Sequence, residues 1–458
     1  MKTKHTFALV TLGCKVNQYE AQALREAWIT CGQEESRDTA KADTICLSTC
    51  AVTAKAVADA RAIIRRTHRE NPNASIIVTG CAAQVLEKEF ATLPGVTLVV
   101  PQADKALLLH PNKTPAPVKS APLPLMDNEG KPPFPPFNIN GYDRSRAVLK
   151  VQDGCSHRCT YCIVPLTRGP SRSREPHETL AEAERLLHAG FREIILNGIN
   201  LSQYGKDFVE KHDFWDLVAL LEKKFAREWQ GKARIRLSSL EPAQLGKKAL
   251  DVLGSSVLIA PHLHVSLQSG SKKVLHQMGR GHYTPDVLHE FCTSLRKTFP
   301  QFGLGADILS GFPGESETDA LETETFCAAL PFTYAHVFPY SRRPGTPAYS
   351  WPNQVPQEVK KERAARLRTL FAAKKEAFLQ VCLDLPEVHV ALEGGEHADS
   401  APLSGINEFY ADCVFATEAA PDITCHRSLV AAKPLASANG CLVVAALPPS
   451  EESGKNTC

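Results

Sequence analysis

The amino-acid sequence predicts an α/β protein with three parts: an amino-terminal parallel α/β domain, a central set of βα units, and a small carboxy-terminal β region. Short apolar runs alternate with helical patterns over the first hundred residues and again from about residue 146, which is typical of parallel sheets. Short β-like runs then begin at about residue 386. At 458 residues, with 43% hydrophobic and 22% charged residues, the chain is long enough for about three globular domains.

The charge and the cysteine content restrict the class of protein. A net charge of +2 means that any nucleic-acid contact must come from local basic patches. Fifteen cysteines in a chain of this length indicate reduced thiols and metal ligands, so a cytoplasmic location is expected. The apolar run near the amino terminus is too short for a signal peptide, and no stretch approaches the roughly 18 apolar residues of a membrane span. We therefore expect no membrane contact.

In the amino-terminal domain, three predicted strands are each followed by a cysteine. They are residues 7–12 before Cys14, residues 44–48 before Cys50, and residues 75–79 before Cys81. The carboxyl ends of parallel strands share one edge of a sheet, where open α/β folds bind ligands, so these thiols could form one metal site. From position alone, buried structural thiols are an equal alternative, and that state is expected for Cys31 and Cys46.

A proline-rich stretch over residues 111–136 precludes a helix or a central strand and predicts a connector, with a docking site for proline motifs as the alternative. It divides the chain into five parts. These are an amino-terminal domain (1–104), a linker (105–142), a central domain with a basic helix (143–380), a carboxy-terminal domain (381–449) and a tail (450–458).

The central domain contains six predicted strands, too few for a closed eight-stranded barrel. They are residues 147–151, 193–197, 234–238, 263–267, 305–309 and 334–338. The loop after the first of them carries Cys155, Cys159 and Cys162 in the run DGCSHRCTYC, a C-x3-C-x2-C triplet. Three thiolates can hold three irons of a cubic iron–sulfur cluster and leave the fourth open. A zinc site completed by His157, or three unrelated thiols, are the alternatives.

This triplet, with an aromatic residue before its last cysteine, resembles that of the radical S-adenosylmethionine superfamily. The resemblance implies an open partial (β/α)6 barrel and a 4Fe–4S cluster whose open iron binds S-adenosylmethionine to generate a 5′-deoxyadenosyl radical. Polar, aromatic and glycine residues near the strand ends are suited to bind that cofactor, although each alone could be a cap or turn residue. The candidate cofactor contacts are Tyr161, Asn197, Gly198, Ser238, Glu241, Ser266, Gln268 and Phe312.

The sequences around the first three cysteines resemble those of the methylthiotransferase family. They are TLGCKVNQYE (11–20), STCAVT (48–53) and VTGCAAQ (78–84). The resemblance implies that Cys14, Cys50 and Cys81 bind an auxiliary 4Fe–4S cluster. The carboxy-terminal β runs, residues 388–392, 408–414 and 441–446, resemble a TRAM domain, a small β-barrel that binds tRNA in relatives.

The features that follow the last central strand concern the substrate. Residues 338–346 form a loop in which Arg342 and Arg343 could clamp a phosphate beside an aromatic residue. Residues 357–380 predict a long amphipathic helix whose basic face is solvated, with RNA contact as the alternative. The TRAM-like region is acidic, with eight carboxylates against Arg427 and Lys433, which puts its RNA role in doubt.

The runs RLSSLEP (236–242) and HVFPYSRRPGT (336–346), with the first cysteine motif, resemble the branch that modifies N6-threonylcarbamoyladenosine. The resemblance implies methylthiolation of C2 of that nucleoside at tRNA position 37, with the tRNA anticodon loop and a reductant such as flavodoxin or ferredoxin as partners of a monomer. The same chemistry on isopentenyladenosine or on a ribosomal protein, or another radical reaction, remains open.

Overall fold

The computed structural model describes residues 5–111, 133–393, 403–416 and 427–448. The described chain forms an amino-terminal parallel sheet, a central open barrel and a closed carboxy-terminal barrel, in the predicted order. The predicted α/β class is therefore confirmed. No helix among the described ranges is both long and apolar enough to cross a membrane.

The amino-terminal domain is a five-stranded sheet flanked by helices. Its strands are β1 (Thr6–Thr11), β2 (Glu34–Glu35), β3 (Thr44–Thr49), β4 (Ser75–Gly80) and β5 (Val96–Pro101). Its helices are α1 (Lys15–Thr30), α2 (Ala54–Glu70), α3 (Cys81–Val85) and α4 (Glu87–Ala91). All strand pairs are parallel, in the order β2-β1-β3-β4-β5. The three strands predicted before the cysteines are confirmed as β1, β3 and β4 and lie side by side in the sheet.

The central domain is an open barrel of parallel strands. Its strands are β6 (Ala147–Lys150), β7 (Gln152–Asp153), β8 (Arg172–Ser173), β9 (Glu193–Asn197), β10 (Arg234–Leu237), β11 (Ser239–Leu240), β12 (His262–Gln268), β13 (Gly303–Ser310) and β14 (Tyr334–Pro339). Its helices are α5 (Val164–Arg168), α6 (Pro176–His188), α7 (Phe214–Trp229), α8 (Lys247–Ser255), α9 (Lys272–Gln277), α10 (Asp286–Thr298) and α11 (Glu317–Ala329).

The six predicted central strands are confirmed, and their order follows the chain. The sheets β6-β9-β10 and β11-β12-β13-β14 are joined because Ser238 alone separates β10 from β11. Only the short β7 and β8 pair with each other in antiparallel fashion. On β12 the alternation places Leu263 and Val265 in the apolar core and leaves His264 and Ser266 on the inner, luminal face.

The carboxy-terminal region is a long helix followed by a closed five-stranded barrel. Its elements are α12 (Gln357–Leu383), β15 (Val388–Glu393), β16 (Ser404–Ile406), β17 (Asp412–Phe415), β18 (Leu429–Ala438) and β19 (Cys441–Ala446). The strand order is β15-β16-β17-β19-β18. The guanidinium groups of Arg234 and Arg236 donate to backbone oxygens of Ile406, Asn407 and Glu408, so this barrel docks on the amino-terminal ends of the central strands.

The predicted strand over residues 408–414 is wrong at its start. The side chain of Asn407 accepts hydrogen bonds from the backbone of Phe409 and Ala411, which forms a turn before β17 begins at Asp412. Tyr410 has a positive φ of 71° within this turn. Strands β16 and β18 were not predicted, because one has only three residues and the other contains Pro434 among small residues.

The described ends of the proline-rich linker are packed. Gln102–Leu109 forms a 3-10 helix in which Lys105 and Leu108 are fully buried, and Phe137 and Ile139 enter the main apolar core. These apolar side chains anchor both ends of the segment. Residues 112–132, which include most of the prolines, lie outside the described residues.

Two further expectations need correction. Cys31 was expected to be buried, but it is exposed because it follows the last turn of α1. The basic face of α12 was expected to be solvated, but Arg363 is buried against Glu315, and Arg366 pairs with Glu317 and Glu324. The helix thus uses part of its positive charge to dock on the turn after β13 and on α11.

Candidate active site

The cysteine triplet lies in the loop after β6 and β7, at the carboxyl end of the first barrel strand. Gly154 starts this loop with a φ of +69°, and a Cβ there would lie 1.9 Å from the Pro170 oxygen, so only glycine fits. The backbone of Thr160 donates to Met278 O, and the backbone of Ser156 donates to Gln203 Oε1. The loop is therefore held on two sides by the barrel.

The three thiols of this loop are shielded from solvent. Cys155 and Cys159 are buried, and burial raises the pKa of both thiols. Burial also raises the pKa of the third thiol, Cys162, to about 12. Asn200 Nδ2 lies 3.7 Å from Cys155 Sγ, and Arg280 NH1 lies 3.8 Å from Cys159 Sγ. Such thiols need a bound metal to ionise at neutral pH, and polar donors already face their sulfurs.

Arg280 organises the centre of the pocket, and it was missed by the sequence analysis. Its NH2 donates to Glu241 Oε1 at 2.7 Å and lies 3.3 Å from Ser266 Oγ, while its Nε donates to the Tyr283 hydroxyl. Its NH1 lies 3.4 Å from the Tyr161 hydroxyl. A signal was present in the sequence, because the arginine stands between two glycines just after α9.

Glu241 is a buried carboxyl group in this pocket. Burial would raise its pKa, but hydrogen bonding from His157 and the charge of Arg280 hold that pKa well below its usual range. Ser202 Oγ also donates to Glu241 Oε2 at 2.7 Å. His157 Nδ1 thus faces Glu241 at 3.5 Å, and its ring packs edge-on against His282. The imidazole is engaged in the pocket wall, which does not favour its role as a fourth zinc ligand.

The structure brings some of the candidate cofactor residues together and separates others. Tyr161, Glu241 and Ser266 surround Arg280. Phe312 is fully buried and packs edge-on against Tyr161, so its side chain supports the tyrosine instead of lining a cavity. Three others form no hydrogen bond with Arg280 in the described structure: Gly198 packs on Gln152, Gln268 ends β12 with a φ of 67°, and Asn197 ends β9.

Several buried polar atoms near the same strand ends lack a hydrogen-bond partner within the described residues. They are Asn197 Nδ2 at the end of β9, Ser238 Oγ after β10, Ser310 Oγ at the end of β13 and the Tyr340 hydroxyl after β14. Buried polar groups without partners are costly in a folded protein and indicate a ligand or an ordered solvent molecule. The donors and acceptors therefore fit a polar nucleoside cofactor such as S-adenosylmethionine.

The second group of cysteines lies on the edge of the amino-terminal sheet. Cys50 and Cys81 directly follow β3 and β4, and Cys14 follows β1 by three residues. Burial raises the pKa of Cys50 to about 11, and the neighbouring Cys81 and Cys14 thiols add to that rise. A Cβ on Gly13 would lie 3.0 Å from Cys50 Sγ, so the loop of Cys14 touches Cys50. The three thiols share one pocket, as expected for ligands of a cluster.

Asn17 and Thr49 hold the three cysteine-bearing segments together. Asn17 Nδ2 donates to Leu12 O and to Thr49 O, each at 2.9 Å, which ties the loop of Cys14 to the end of β3. The Thr49 hydroxyl donates to Thr79 O at 2.6 Å and accepts from the backbone of Ala83. The spacing of the thiols is therefore set by buried hydrogen bonds to the backbone.

A buried network of charges joins the two cysteine sites. Glu20 on α1 accepts from Lys105 at 2.9 Å and from Lys150 and Arg168 at 2.8 Å each, and Asp153 accepts from the last two at 2.7 and 2.9 Å. All five side chains are almost wholly buried. Asp153 stands two positions before Cys155, the first cysteine of the triplet.

Arg168 extends this network to the second cysteine group. Burial raises the pKa of Cys81, and the charge of Arg168 opposes that rise. The Nε atom of Arg168 is buried without a hydrogen-bond partner in the described part of the chain, while its NH2 group donates to Asn17. The sequence analysis missed this network, although Glu20 is the one acidic residue among the buried residues of α1.

The predicted substrate arginines occupy different environments. Arg342 is exposed, donates twice to Tyr349 O and lies over the ring of Tyr349 at 4.6 Å. Arg343 is buried and lies 3.4 Å from the oxygen of Ala51, the residue after Cys50. Ser341 Oγ also accepts from the backbone of Ala54. The loop after β14 therefore contacts the cysteine edge of the amino-terminal domain.

Comparison with known proteins places these sites in context. Residues 6–101 match the uncharacterized protein family UPF0004, and residues 149–327 match the radical SAM superfamily. A cobalamin-binding radical S-adenosylmethionine methyltransferase from Kitasatospora setae, TsrM, has a similar fold, with a TM-score of 0.55 and 15% identity over 76% of this chain and 74% of that chain. An open barrel with the cysteine triplet after its first strand and the superfamily match define a radical S-adenosylmethionine protein.

Curated relatives narrow this class. The threonylcarbamoyladenosine tRNA methylthiotransferase MtaB of Bacillus subtilis is 38% identical over 80% of each chain, and that of Aquifex aeolicus is 35% identical over 81% of this chain and 89% of its own. The tRNA-2-methylthio-N(6)-dimethylallyladenosine synthase of Moorella thermoacetica is 32% identical over 88% of this chain and 91% of its own. The chain belongs to the tRNA methylthiotransferase family, in its threonylcarbamoyladenosine branch.

Proposed function

We propose that this protein methylthiolates C2 of N6-threonylcarbamoyladenosine in tRNA. The observation that carries the proposal is the pair of three-cysteine sites at the carboxyl edges of two parallel sheets, joined within one molecule by buried charges. The names of the curated relatives supply the substrate.

Cys155, Cys159 and Cys162 would hold one 4Fe–4S cluster, and Cys14, Cys50 and Cys81 would hold a second. When bound, the first cluster and S-adenosylmethionine supply a radical that can abstract hydrogen from an unactivated C–H bond, and the second cluster supplies sulfur. A side-chain base could not replace this chemistry, because C2–H of adenine has no acidic proton at neutral pH.

The chain's own residues bind and orient the cofactor. Arg280 fixes the carboxylate of Glu241 and the hydroxyls of Ser266 and Tyr161 in one array. The unpaired polar atoms of Asn197 and Ser238 add donors and acceptors from the next strands. We propose that this array orients S-adenosylmethionine, with Gly198 giving room for close approach, Gln268 completing the pocket, and Phe312 supporting the ring of Tyr161 from behind.

Arg342 and Arg343 are proposed to contact the tRNA. The exposed Arg342 stacks on Tyr349 and suits a phosphate of the anticodon loop. The buried Arg343 lies beside Ala51 and suits the modified nucleoside close to the second cysteine site.

We further propose that the protein acts as a cytoplasmic monomer with a flavodoxin- or ferredoxin-type reductant. We also propose that its domains are the five segments bounded at residues 104, 142, 380 and 449.

The experiment that tests the function is nucleoside mass spectrometry. Reconstituted protein, S-adenosylmethionine and a reductant are incubated anaerobically with tRNA that bears either threonylcarbamoyladenosine or isopentenyladenosine. We expect one methylthio group on the first nucleoside alone. Transfer to isopentenyladenosine would preserve the chemistry and overturn the branch, and transfer to neither, with both clusters bound, would overturn the proposal.

A further inference from the structure

Three ligand-type side chains from neighbouring strands meet inside the partial barrel, outside both cysteine groups. His264 lies on β12, Asp307 on β13 and His336 on β14. His264 Nε2 lies 3.1 Å and His336 Nδ1 lies 3.5 Å from Asp307 Oδ1, and one ligand atom of each residue lies within 4.8 Å of the others. The proposed methylthiolation assigns no role to any of them.

We propose that His264, Asp307 and His336 form a binding site for one divalent first-row transition metal ion. Histidine nitrogens and carboxylate oxygens bind such ions at about 2.0–2.2 Å, which places neighbouring ligand atoms about 2.8–3.6 Å apart at octahedral or tetrahedral angles. The two observed spacings, 3.1 and 3.5 Å, match that requirement. Two imidazoles and one carboxylate are a common ligand set for zinc and iron(II).

The surroundings orient the first imidazole toward the proposed ion. His264 Nδ1 lies 2.9 Å from the Tyr334 hydroxyl, which also lies 3.0 Å from His262 Nε2. This contact leaves His264 Nε2 directed at Asp307, in the way that a second hydrogen bond commonly fixes a metal-binding histidine. A Cβ on Gly305 would lie 2.3 Å from Tyr334 and 2.5 Å from His264 Nδ1, so glycine is required for their contact.

The charge of the group also favours a cation. The Asp307 carboxyl is the acidic member of the group, and both imidazoles face its Oδ1 atom. Among the described residues, no lysine or arginine forms an ion pair with Asp307. His157, Glu241 and His282 form a similar group, but its charge is different. Arg280 already neutralises the Glu241 carboxylate and would repel a metal ion.

The site is accessible and incomplete. The side chain of His336 is 53% exposed and that of Asp307 is 25% exposed, so an ion can enter from the lumen. Three protein ligands leave at least one coordination position for water or an oxygen atom of a bound molecule. His264 precedes Ser266 by two residues on β12, about 7 Å along the strand, so the open position would face the same lumen as the cofactor pocket.

A metal count on the whole protein tests this site. Untagged protein with both clusters oxidised is equilibrated anaerobically with zinc chloride, desalted, and analysed for zinc and iron by mass spectrometry. We expect about one zinc per chain. Asp307→Asn and His336→Ala should each lose at least fivefold in bound zinc at unchanged iron content, while His289→Ala, which removes an exposed histidine on α10, should keep the zinc.

Equal zinc in the parent protein, Asp307→Asn and His336→Ala would overturn the proposal, and so would an absence of zinc in the parent. Either result would leave a hydrogen-bonded group only. His336→Ala removes the most exposed ligand, so it decides the test even if Asp307→Asn does not fold. The count needs no tRNA. It therefore succeeds or fails independently of the methylthiolation assay.

Discussion

Arg280 and the cysteines show how single residues define the chemistry of this protein. One guanidinium contacts Glu241, Ser266, Tyr283 and Tyr161, because its planar group carries five donors in a fixed arrangement. The cysteines have a simpler requirement, since each thiol becomes a ligand only when it ionises on metal binding.

Substitutions in the two cysteine groups should affect different steps of the reaction. Cys159→Ala is expected to abolish both 5′-deoxyadenosine formation and methylthiolation, because it removes a ligand of the proposed radical-site cluster. Cys50→Ala should retain uncoupled cleavage of S-adenosylmethionine and lose sulfur transfer. Both products are quantified by mass spectrometry, with the exposed Cys31→Ala as control. Methylthiolation of RNA by Cys50→Ala would disprove the auxiliary-cluster assignment.

Arg280→Lys tests the arrangement of donors separately from the charge. A lysine ammonium keeps the positive charge but cannot reach Glu241, Ser266 and Tyr283 together. We expect 5′-deoxyadenosine formation to fall at least about tenfold, equivalent to about 1.4 kcal/mol, with unchanged iron content. Arg296→Lys, on the exposed side of α10, is the matched control. Full activity of Arg280→Lys would show that charge alone is sufficient.

At the scale of the element, glycine turns connect strands to cysteine-bearing segments. Gly80 ends β4 with a φ of +97°, and a Cβ there would lie 2.5 Å from Thr49 O. Gly154 likewise precedes the loop of Cys155, Cys159 and Cys162, and a Cβ at this position would clash with Pro170 O. Both positions combine a left-handed backbone with close backbone packing, so a side chain would displace the cysteines that follow.

Alanine at either glycine should remove one cluster. Gly154→Ala and Gly80→Ala are each expected to lower the iron content from about eight to about four per chain. Gly80→Ala should keep 5′-deoxyadenosine formation, and Gly154→Ala should lose it. Gly231→Ala is a matched control, because its φ is +72° but nothing lies within 4 Å of a Cβ there. Eight irons in Gly154→Ala would contradict the role assigned to this turn.

For the whole molecule, the Glu20 network fixes the amino-terminal domain against the barrel. Burial would raise the pKa of Glu20, but Arg168, Lys105 and Lys150 hold it well below the usual range. Burial likewise opposes ionisation of Asp153, yet Arg168 and Lys150 lower its pKa to about 2. Two carboxylates face three cations here without solvent, so loss of either carboxylate leaves buried positive charge uncompensated.

Glu20→Gln should lower the free energy of unfolding by about 3–5 kcal/mol at pH 7. Because the folded-state pKa values of Glu20 and Asp153 are lowered, the stability that they contribute is complete above the unfolded-state pKa of about 4 and is lost as the pH falls toward 2. Denaturant titrations at pH 7 and pH 3 measure both effects.

The exposed Glu70→Gln is the control for this change. It should match the parent protein at both pH values, because an exposed carboxylate contributes little to stability. Equal stability of Glu20→Gln and the parent would show that the network does not stabilise the interface between the domains.

The sequence by itself determined the α/β class, the strands that precede the two groups of three cysteines, and the two groups themselves, because hydrophobic periodicity and ligand spacing are local properties of the chain. Only the tertiary structure revealed Arg280, the Glu20 network and the His264–Asp307–His336 group. Their members come from distant segments, and a buried charge or ligand acquires its role from partners that folding brings together. The exposure of Cys31 and the turn at Asn407 were likewise decided by packing, which overrides local preference.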